Sequence, residues 1–559
     1  MPQLEFDRFY KYDDLTSILE AMVTDHPNLI RIDSIGKSHE GRDIWLATVT
    51  NFSTGDDLSK PAIWIEGNIH ATEFTASAAA LHLLDVLLRK YGNDEKVTRA
   101  LDSRVFYVVP RLNPDGAELA MADRPKFIRS SVRPYPRQDQ QDGLIPEDLD
   151  GDGRILSMRI ADPNGAWKKA PQDERLLVAR DPDEADGEFY RLLPEGQIQN
   201  YDGYIIKAAP DLHGLDLNRN WPADWETESV QKGAGPYPTS EPEIRATVQA
   251  IVDRPNITAY ITYHTMSAVH LRPYSAHDDD HFPTRDLRVF KKIGEHATRL
   301  TGYPAISIYH DFKYEPKEVV HGGSDDWIYE HLGIYAWTTE FWSPMKQAGI
   351  KDFKFIEWFR EHPVEDDLAL LKWSDEVLGG KGYIDWYPFD HPQLGRVELG
   401  GWDEMYCWRN PPPEFLEKEI KSHADFALFH LLISPKLEVH TLDMKQVQTG
   451  VFAVTLVLHN TGWLPTNVTE KANERKAVRP LEVELELPEG AEMVIGDRRT
   501  EAGQLEGRDQ KTTAIGYEVD PTTDRVKLEW VVSAPKGGTL KIEARHQRAG
   551  TIVRELSLS

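Results

Sequence analysis

The sequence predicts an α/β domain with a mostly parallel sheet flanked by helices, followed by a C-terminal β-sandwich. Three observations carry this. Apolar, β-branched runs bounded by turn residues alternate with stretches of helical periodicity through the N-terminal part of the chain. After Pro435 the pattern changes to short alternating runs separated by turns. The chain has 559 residues, 40% of them hydrophobic, with 15 Trp, 21 Tyr and 19 Phe, enough apolar surface for two or three packed domains.

Taken in order, residues 14–23 read as the first helix, and 62–66 (Ala-Ile-Trp-Ile-Glu) as a buried strand. A helix at 75–91 follows, then a strand at 104–109. From about 135 to 215 the periodicity fails in a stretch rich in Asp, Pro, Gly and Gln, which reads as a long insertion on the rim of the sheet. Helix 241–253, strand 257–263, helix 286–301, helix 325–331 and strand 334–339 complete the alternation. Residues 353–378 read as one further helical stretch. Asn410-Pro411-Pro412-Pro413 then breaks the chain, and one amphipathic helix runs to about 432. The expected division is a catalytic domain at 1–433 and a β-domain at 434–559, the latter typified by 451–458 and 526–532.

Asp plus Glu number 92 against 64 Lys plus Arg, a formal net charge of −28. Such a surface repels phosphate backbones and anionic lipid, so neither nucleic acid nor membrane is an expected partner. No apolar run is long enough to span a bilayer. Cys407 is the only cysteine, which excludes an internal disulfide and any Cys-based zinc or redox motif. The N-terminus shows no basic segment followed by an apolar run, so the cytoplasm is the expected location; a chain with its leader already removed would read the same way. Oligomeric state is open.

Chemistry-bearing residues gather at the ends of the predicted strands, where open α/β sheets bind ligands. His70 and Glu73 follow the first strand, His264 ends the strand at 257–263, and Glu340 ends the strand at 334–339. Imidazole and carboxylate suit Zn²⁺, and a catalytic zinc needs three protein ligands and an open position. Taken singly, each residue reads equally as a hydrogen-bonded structural group. Glu340 closes an apolar strand, where a carboxylate is costly without a partner or a task; it is either an ion-pair member or a general base. Asn218-Arg219 supplies an amide beside a guanidinium fork, suited to a carboxylate or to loop carbonyls.

In order along the chain, Gly36-Lys37-Ser38-His39-Glu40-Gly41-Arg42, Gly67-Asn68-Ile69-His70-Ala71-Thr72-Glu73, Asn113-Pro114-Asp115-Gly116, Asp216-Leu217-Asn218-Arg219-Asn220-Trp221, Tyr263-His264, Gly322-Gly323-Ser324-Asp325-Asp326-Trp327 and Thr339-Glu340 resemble the zinc metallocarboxypeptidase family of the carboxypeptidase A and B type. Each motif is short, but seven in the family's order are specific, and they span roughly residues 5 to 345. The resemblance implies a mixed, mostly parallel sheet, one zinc ion held by His70, Glu73 and His264, and Glu340 as general base. It implies that Asn218 and Arg219 hold the terminal carboxylate of a peptide substrate. It also implies an arginine at the oxyanion, for which Arg129 is the best match and Arg124 the alternative.

The chain departs from the family in three places. The position of the mobile active-site tyrosine falls at Glu318, with Tyr309 or Tyr314 as out-of-register substitutes. A second substrate-contacting arginine of the digestive members is Thr72 here. The long inhibitory pro-domain of those members has no counterpart, so a zymogen is not expected. Asp325 occupies the position of the acid that selects Lys or Arg side chains in the B-type enzymes, and also a position where an Asp caps a helix. Asp148, Asp150 and Asp152 match the start of an EF-hand loop, but position twelve is Arg159 rather than Glu; calcium binding and an acidic solvated turn are both open.

Three functions compete. They are a zinc carboxypeptidase, with a basic C-terminal residue preferred; a zinc amidohydrolase or deacylase acting on cell-wall peptides or acylated amino acids; and a non-catalytic binding protein using the C-terminal domain. The complete set His70, Glu73, His264 and Glu340 disfavours the last.

Overall fold

The computed structural model describes residues 4–514, 519–534 and 536–559. Its central sheet has eight strands: β1 (Ile30–Lys37), β2 (Asp43–Val49), β3 (Ala62–Gly67), β4 (Val105–Val109), β5 (Ile257–Thr265), β6 (Val269–Arg272), β7 (Ala305–Ser307) and β8 (Tyr335–Phe341). They lie in the order β1-β2-β4-β3-β5-β8-β6-β7. β4, β3, β5 and β8 run parallel, and antiparallel pairs at either side make the sheet mixed. Every residue of β3, β5 and β8 is buried, as strands covered on both faces require.

Helices cover both faces. Phe74–Lys90, buried along most of its length, packs on β3 and β5 with Thr284–Thr301 and His423–Leu432 in one apolar layer. Pro242–Val252 and Ser324–Leu332 cover the other face around Trp64, Trp221 and Tyr260. The chain leaves β3 through Phe74–Lys90 to reach β4 on one side, whereas β5 pairs with β3 on the other. A crevice therefore opens at the carboxyl ends of β3 and β5, the topological position at which such sheets bind ligands.

The stretch 135–215 is more ordered than a rim loop. Ser157–Ala161, Trp167–Lys169, Leu177–Ala179 and Tyr190–Pro194 join a hairpin, Tyr383–His391 and Gly395–Trp402, in a six-stranded sheet, with Gly143–Pro146 and Gly196–Gln199 paired beside it. The expected single helix at 353–378 is two, Phe355–Arg360 and Val364–Val377, because Pro363 cannot continue the first. The helix expected to run to 432 is likewise two, Pro413–Ile420 and His423–Leu432, preceded by a widened helical turn, Glu404–Arg409.

The C-terminal strands form two antiparallel four-stranded sheets around Phe452, Leu456, Trp530 and Ile542. The strand Val451–Asn460 alternates buried and half-buried residues with a period of two, as a one-sided strand should. This β-unit is tied to the α/β part through Arg285, which donates to Glu506 and Asp509, and through Asp286, which accepts the Glu470 and Lys471 backbone N–H groups. Among the described residues no helix is long and apolar enough to cross a membrane.

Candidate metal centre and active site

The turn after β3 is held rigidly. Asn68 adopts φ 59°, and its amide donates to the His70 carbonyl. Asn113, first residue of the Asn-Pro-Asp-Gly motif, donates to the Ile69 and Ser130 carbonyls, and the Ala71 N–H donates to the Arg129 carbonyl. Glu73 then stands at the N-terminal boundary of Phe74–Lys90 without a capping side-chain hydrogen bond, where the helix dipole favours a carboxylate. On the neighbouring strands, His264 and Glu340 are direct register partners and share a face.

These constraints bring His70, Glu73 and His264 together, buried to 3%, 1% and 1% exposure. His70 Nδ1 lies 2.8 Å from Glu73 Oε1 and 3.1 Å from His264 Nδ1, and His264 Nδ1 lies 3.1 Å from Glu73 Oε2. The outer nitrogens face acceptors: His70 Nε2 faces Asp216 Oδ1 at 3.2 Å, and His264 Nε2 faces Thr262 Oγ1 at 3.1 Å. Protons on those outer nitrogens leave two ring lone pairs and a carboxylate converging on one point, with Glu73 Oε2 lacking a hydrogen-bond partner among the described residues. Three inward acceptors repel one another unless a cation joins them. A zinc ion about 2.1 Å from each ligand would space them at a little over 3 Å, so the donor set fits. Burial pushes the Glu73 carboxyl up, but the two imidazoles outweigh it and hold the group well below the usual carboxylate range. Burial pushes His264 down, towards the neutral form that binds metal.

A model described as zinc carboxypeptidase matches residues 15–357, well over half of the chain. The chain belongs to the zinc carboxypeptidase family. It is a zinc metallopeptidase, and the metal of the family is Zn²⁺. A second model, described as a domain of unknown function, matches residues 436–557. Carboxypeptidase A2 of Rattus norvegicus is 24% identical over 390 residues, 64% of this chain and 72% of that one. Carboxypeptidase B of Astacus astacus is 24% identical over 351 residues, 60% of this chain and 87% of that one. Among solved structures, thrombin activatable fibrinolysis inhibitor matches with a TM-score of 0.42 at 18% identity, covering 76% of this chain and 75% of that one.

In this carboxypeptidase, Glu340 is 9% exposed and its Oε2 has no partner among the described residues. Burial, then the charge of Glu73, pushes its carboxyl well above the usual range, against the pull of Arg129 and Arg409. A bound divalent cation would reverse that push. Arg129 donates from Nε to Asp216 Oδ2 at 3.0 Å and from Nη1 towards Glu73 Oε1 at 3.4 Å, whereas Arg124 is exposed and lines no part of the cleft. Asp216, which sequence reasoning overlooked as a functional group, thus contacts both His70 and Arg129.

The Asn218–Arg219 pair lies beside this cluster. Asn218 Oδ1 accepts the Ser324 N–H, and Arg219 Nη1 donates to the Asn218 carbonyl. Gly322, at φ +71°, packs its backbone on Arg219; a Cβ there would meet the Arg219 carbonyl oxygen at 2.3 Å, so the Gly-Gly motif is needed to seat the clamp. Asp325 is not the helix cap. Gly323 occupies that position, and Asp325 is buried with Oδ2 accepting from Thr338 Oγ1 and Oδ1 from the Asp326 N–H. Burial pushes its carboxyl up, with Arg219 opposing.

Of the two tyrosines considered for the position at Glu318, Tyr314 lines the cleft with Arg129 and Glu340 and is 53% exposed. Tyr309 lies elsewhere, beneath the Lys313 ammonium, and Glu318 is exposed. The cleft is a cavity of about 730 Å³ running from Glu73, Arg129 and Glu340 to Tyr383, Trp386 and Trp402. Its far wall comes from the insertion and from the hairpin Tyr383–Trp402, neither of which carried a recognisable signal.

The acidic loop does not support calcium. Asp148 and Asp150 approach Glu195, but Asp152 does not join them. Asp148 accepts the Gly151 and Gly153 N–H groups, Glu195 accepts those of Leu149 and Leu156, and Asp152 pairs with Arg154. The carboxylates satisfy the turn's own donors, as in an Asx-rich turn.

Proposed function

We propose that this enzyme releases C-terminal residues from peptides, with zinc held by His70, Glu73 and His264. The observation that carries the reading is the convergence of these three side chains in the cleft that Glu340 lines, its buried carboxylate keeping one oxygen without a partner among the described residues, with the Arg129 guanidinium alongside. When bound, zinc supplies Lewis acidity, drawing the pKa of water towards neutrality and polarising a carbonyl. Glu340 takes a proton from the attacking water and passes it to the leaving amine. Arg129 donates to the oxygen on which negative charge develops, held in place by Asp216. Asn218 and Arg219 hold the terminal carboxylate, and Tyr314 closes over the bound chain end from its exposed loop. Asp325 faces the terminal side chain and favours Lys or Arg.

Matched peptides with free and amidated C-termini, assayed with and without chelator, test the reading. Release from the free peptides alone, abolished by chelator, is the expected result. Equal cleavage of amidated peptides, or of acylated amino acids in preference to peptides, would replace it with the amidohydrolase function.

A further inference from the structure

The cleft has aromatic and aliphatic walls and eight charged groups, five acids and three arginines, the arginines being Arg129, Arg360 and Arg409. They are not equally committed. Arg129 donates to Asp216 and Glu73. Arg360 is engaged by Glu357 and the Tyr314 carbonyl. Arg409 directs both Nε and Nη2 at one oxygen, Glu404 Oε1, at 3.2 and 3.0 Å, leaving its Nη1 without a protein partner among the described residues. Its side chain is 39% exposed.

Arg409 is also registered to the metal centre. The next residue, Asn410, is fully buried; it donates from Nδ2 to the Thr72 carbonyl at 2.8 Å and accepts from the Thr75 N–H and hydroxyl at 3.0 and 2.9 Å. These bonds bracket Glu73, so the turn Glu404–Arg409 is fastened to the segment that carries two of the proposed metal ligands. More than half of the sequence separates them, 335 positions or more, and nothing local forces the contact.

A peptide whose terminal carboxylate is held by Asn218 and Arg219 must cross Glu340 and continue somewhere. Neither clamp residue lines the large cavity, which begins at Glu340 and leads away past Arg409. Extended peptide backbone presents carbonyl oxygens, and a partly exposed guanidinium with a free N–H is suited to donate to one. The surrounding walls, Phe355, Phe359, Trp386, Trp402 and Trp408, suit apolar side chains.

We infer that Arg409 is a substrate-binding residue that holds backbone carbonyls upstream of the scissile bond, in a cleft that selects peptides with apolar residues at those positions. The inference rests on the carboxypeptidase reading above.

Wild type, Arg409→Ala and Arg409→Lys are compared on an N-blocked dipeptide and on two pentapeptides with the same C-terminal residue, one with Phe-Leu and one with Gly-Ser upstream. Wild type should favour the Phe-Leu pentapeptide at least tenfold. Arg409→Ala should lose at least tenfold in kcat/KM on that pentapeptide, chiefly through KM, with a smaller loss on the dipeptide and partial recovery in Arg409→Lys. Zinc content and melting temperature should not change. A loss equal on all three substrates, or one accompanied by loss of zinc, would mean that Arg409 acts only as a structural brace and would overturn the inference, as would no loss at all. Hydrolysis of all three substrates by wild type, with no effect of Arg409→Ala on any of them, would sink this inference alone. No release from any free C-terminus by wild type would sink the carboxypeptidase reading and this inference with it.

Discussion

Asp216 gives the sharpest test of how the metal centre is organised. Three groups bond to its carboxylate, Oδ1 facing His70 Nε2 and the Asn218 N–H and Oδ2 receiving Arg129 Nε, and Arg219 Nη2 lies 4.0 Å from Oδ2. Burial opposes its ionisation, but Arg129, Arg219 and His70 together hold its carboxyl well below the usual range. Asp216→Asn keeps the shape and replaces one oxygen by an NH₂ that must face a donor. Two routes size the effect. A hydrogen bond to a charged group contributes roughly 1.5–3 kcal/mol. Loss of a group that orients a metal ligand typically costs 10- to 100-fold in metal affinity or activity, about 1.4–2.8 kcal/mol. The routes agree, so zinc affinity, read by chelator competition, should fall at least tenfold in Asp216→Asn. In zinc-saturated protein kcat should fall as well, because Arg129 is no longer aimed. Zinc affinity within threefold of wild type, with kcat unchanged, would refute the claim that Asp216 orients His70 and Arg129.

Three further outcomes are expected. Glu340→Gln should lower kcat by about 10²- to 10⁴-fold, the usual span for a general base, while zinc content by metal analysis stays at one per chain; activity near wild type would remove Glu340 from the chemistry. Peptides ending in Lys should be released faster than matched peptides ending in Leu, and Asp325→Asn should narrow the difference; equal rates in wild type would end the proposed role of Asp325. Glu66 is buried on β3, where burial raises its carboxyl to about 7 despite hydrogen bonds from Tyr260 and Trp64. Its folded pKa thus exceeds its unfolded value of 4.5, so its contribution to stability is fully present below pH 4.5 and is lost as pH rises through about 7. Urea melts at pH 5 and 7.5 should show that Glu66→Gln removes a decline of about 2 kcal/mol, and parallel curves for the two proteins would contradict it.

The sheet was legible where strands are buried on both faces. The runs at 62–66, 257–263 and 334–339 are continuous apolar stretches, and they became β3, β5 and β8 within a few residues. The residues at their ends followed, because a parallel register aligns strand ends whatever the loops do. β1 was not legible: its burial is partial and irregular, so neither a continuous apolar run nor clean alternation marks it. The insertion was opaque for a related reason. Its strands are three to five residues long, and a period of two has no room to declare itself. Asp216 opens the Asp-Leu-Asn-Arg motif, but one carboxylate among 92 acidic residues carries no signal of its own until the fold sets it against His70 and Arg129.

Arg409 differs from all of these, and the reason bears on how substrate choice is encoded here. No periodicity or spacing marks it, and its position depends on Asn410 reaching back to Thr72 and Thr75 across most of the chain. Metal ligands are constrained by the sheet and therefore leave local traces, whereas the walls of the cleft are built from segments that need only reach it. Glu404–Arg409 is held to that frame from outside the sheet, by the Asn410 bonds, by Trp342 Nε1 donating to the Cys407 carbonyl and by Met405 against Phe74. Asn410→Ala, which removes that anchor while leaving Arg409 itself intact, is the change that separates the position of the guanidinium from its charge.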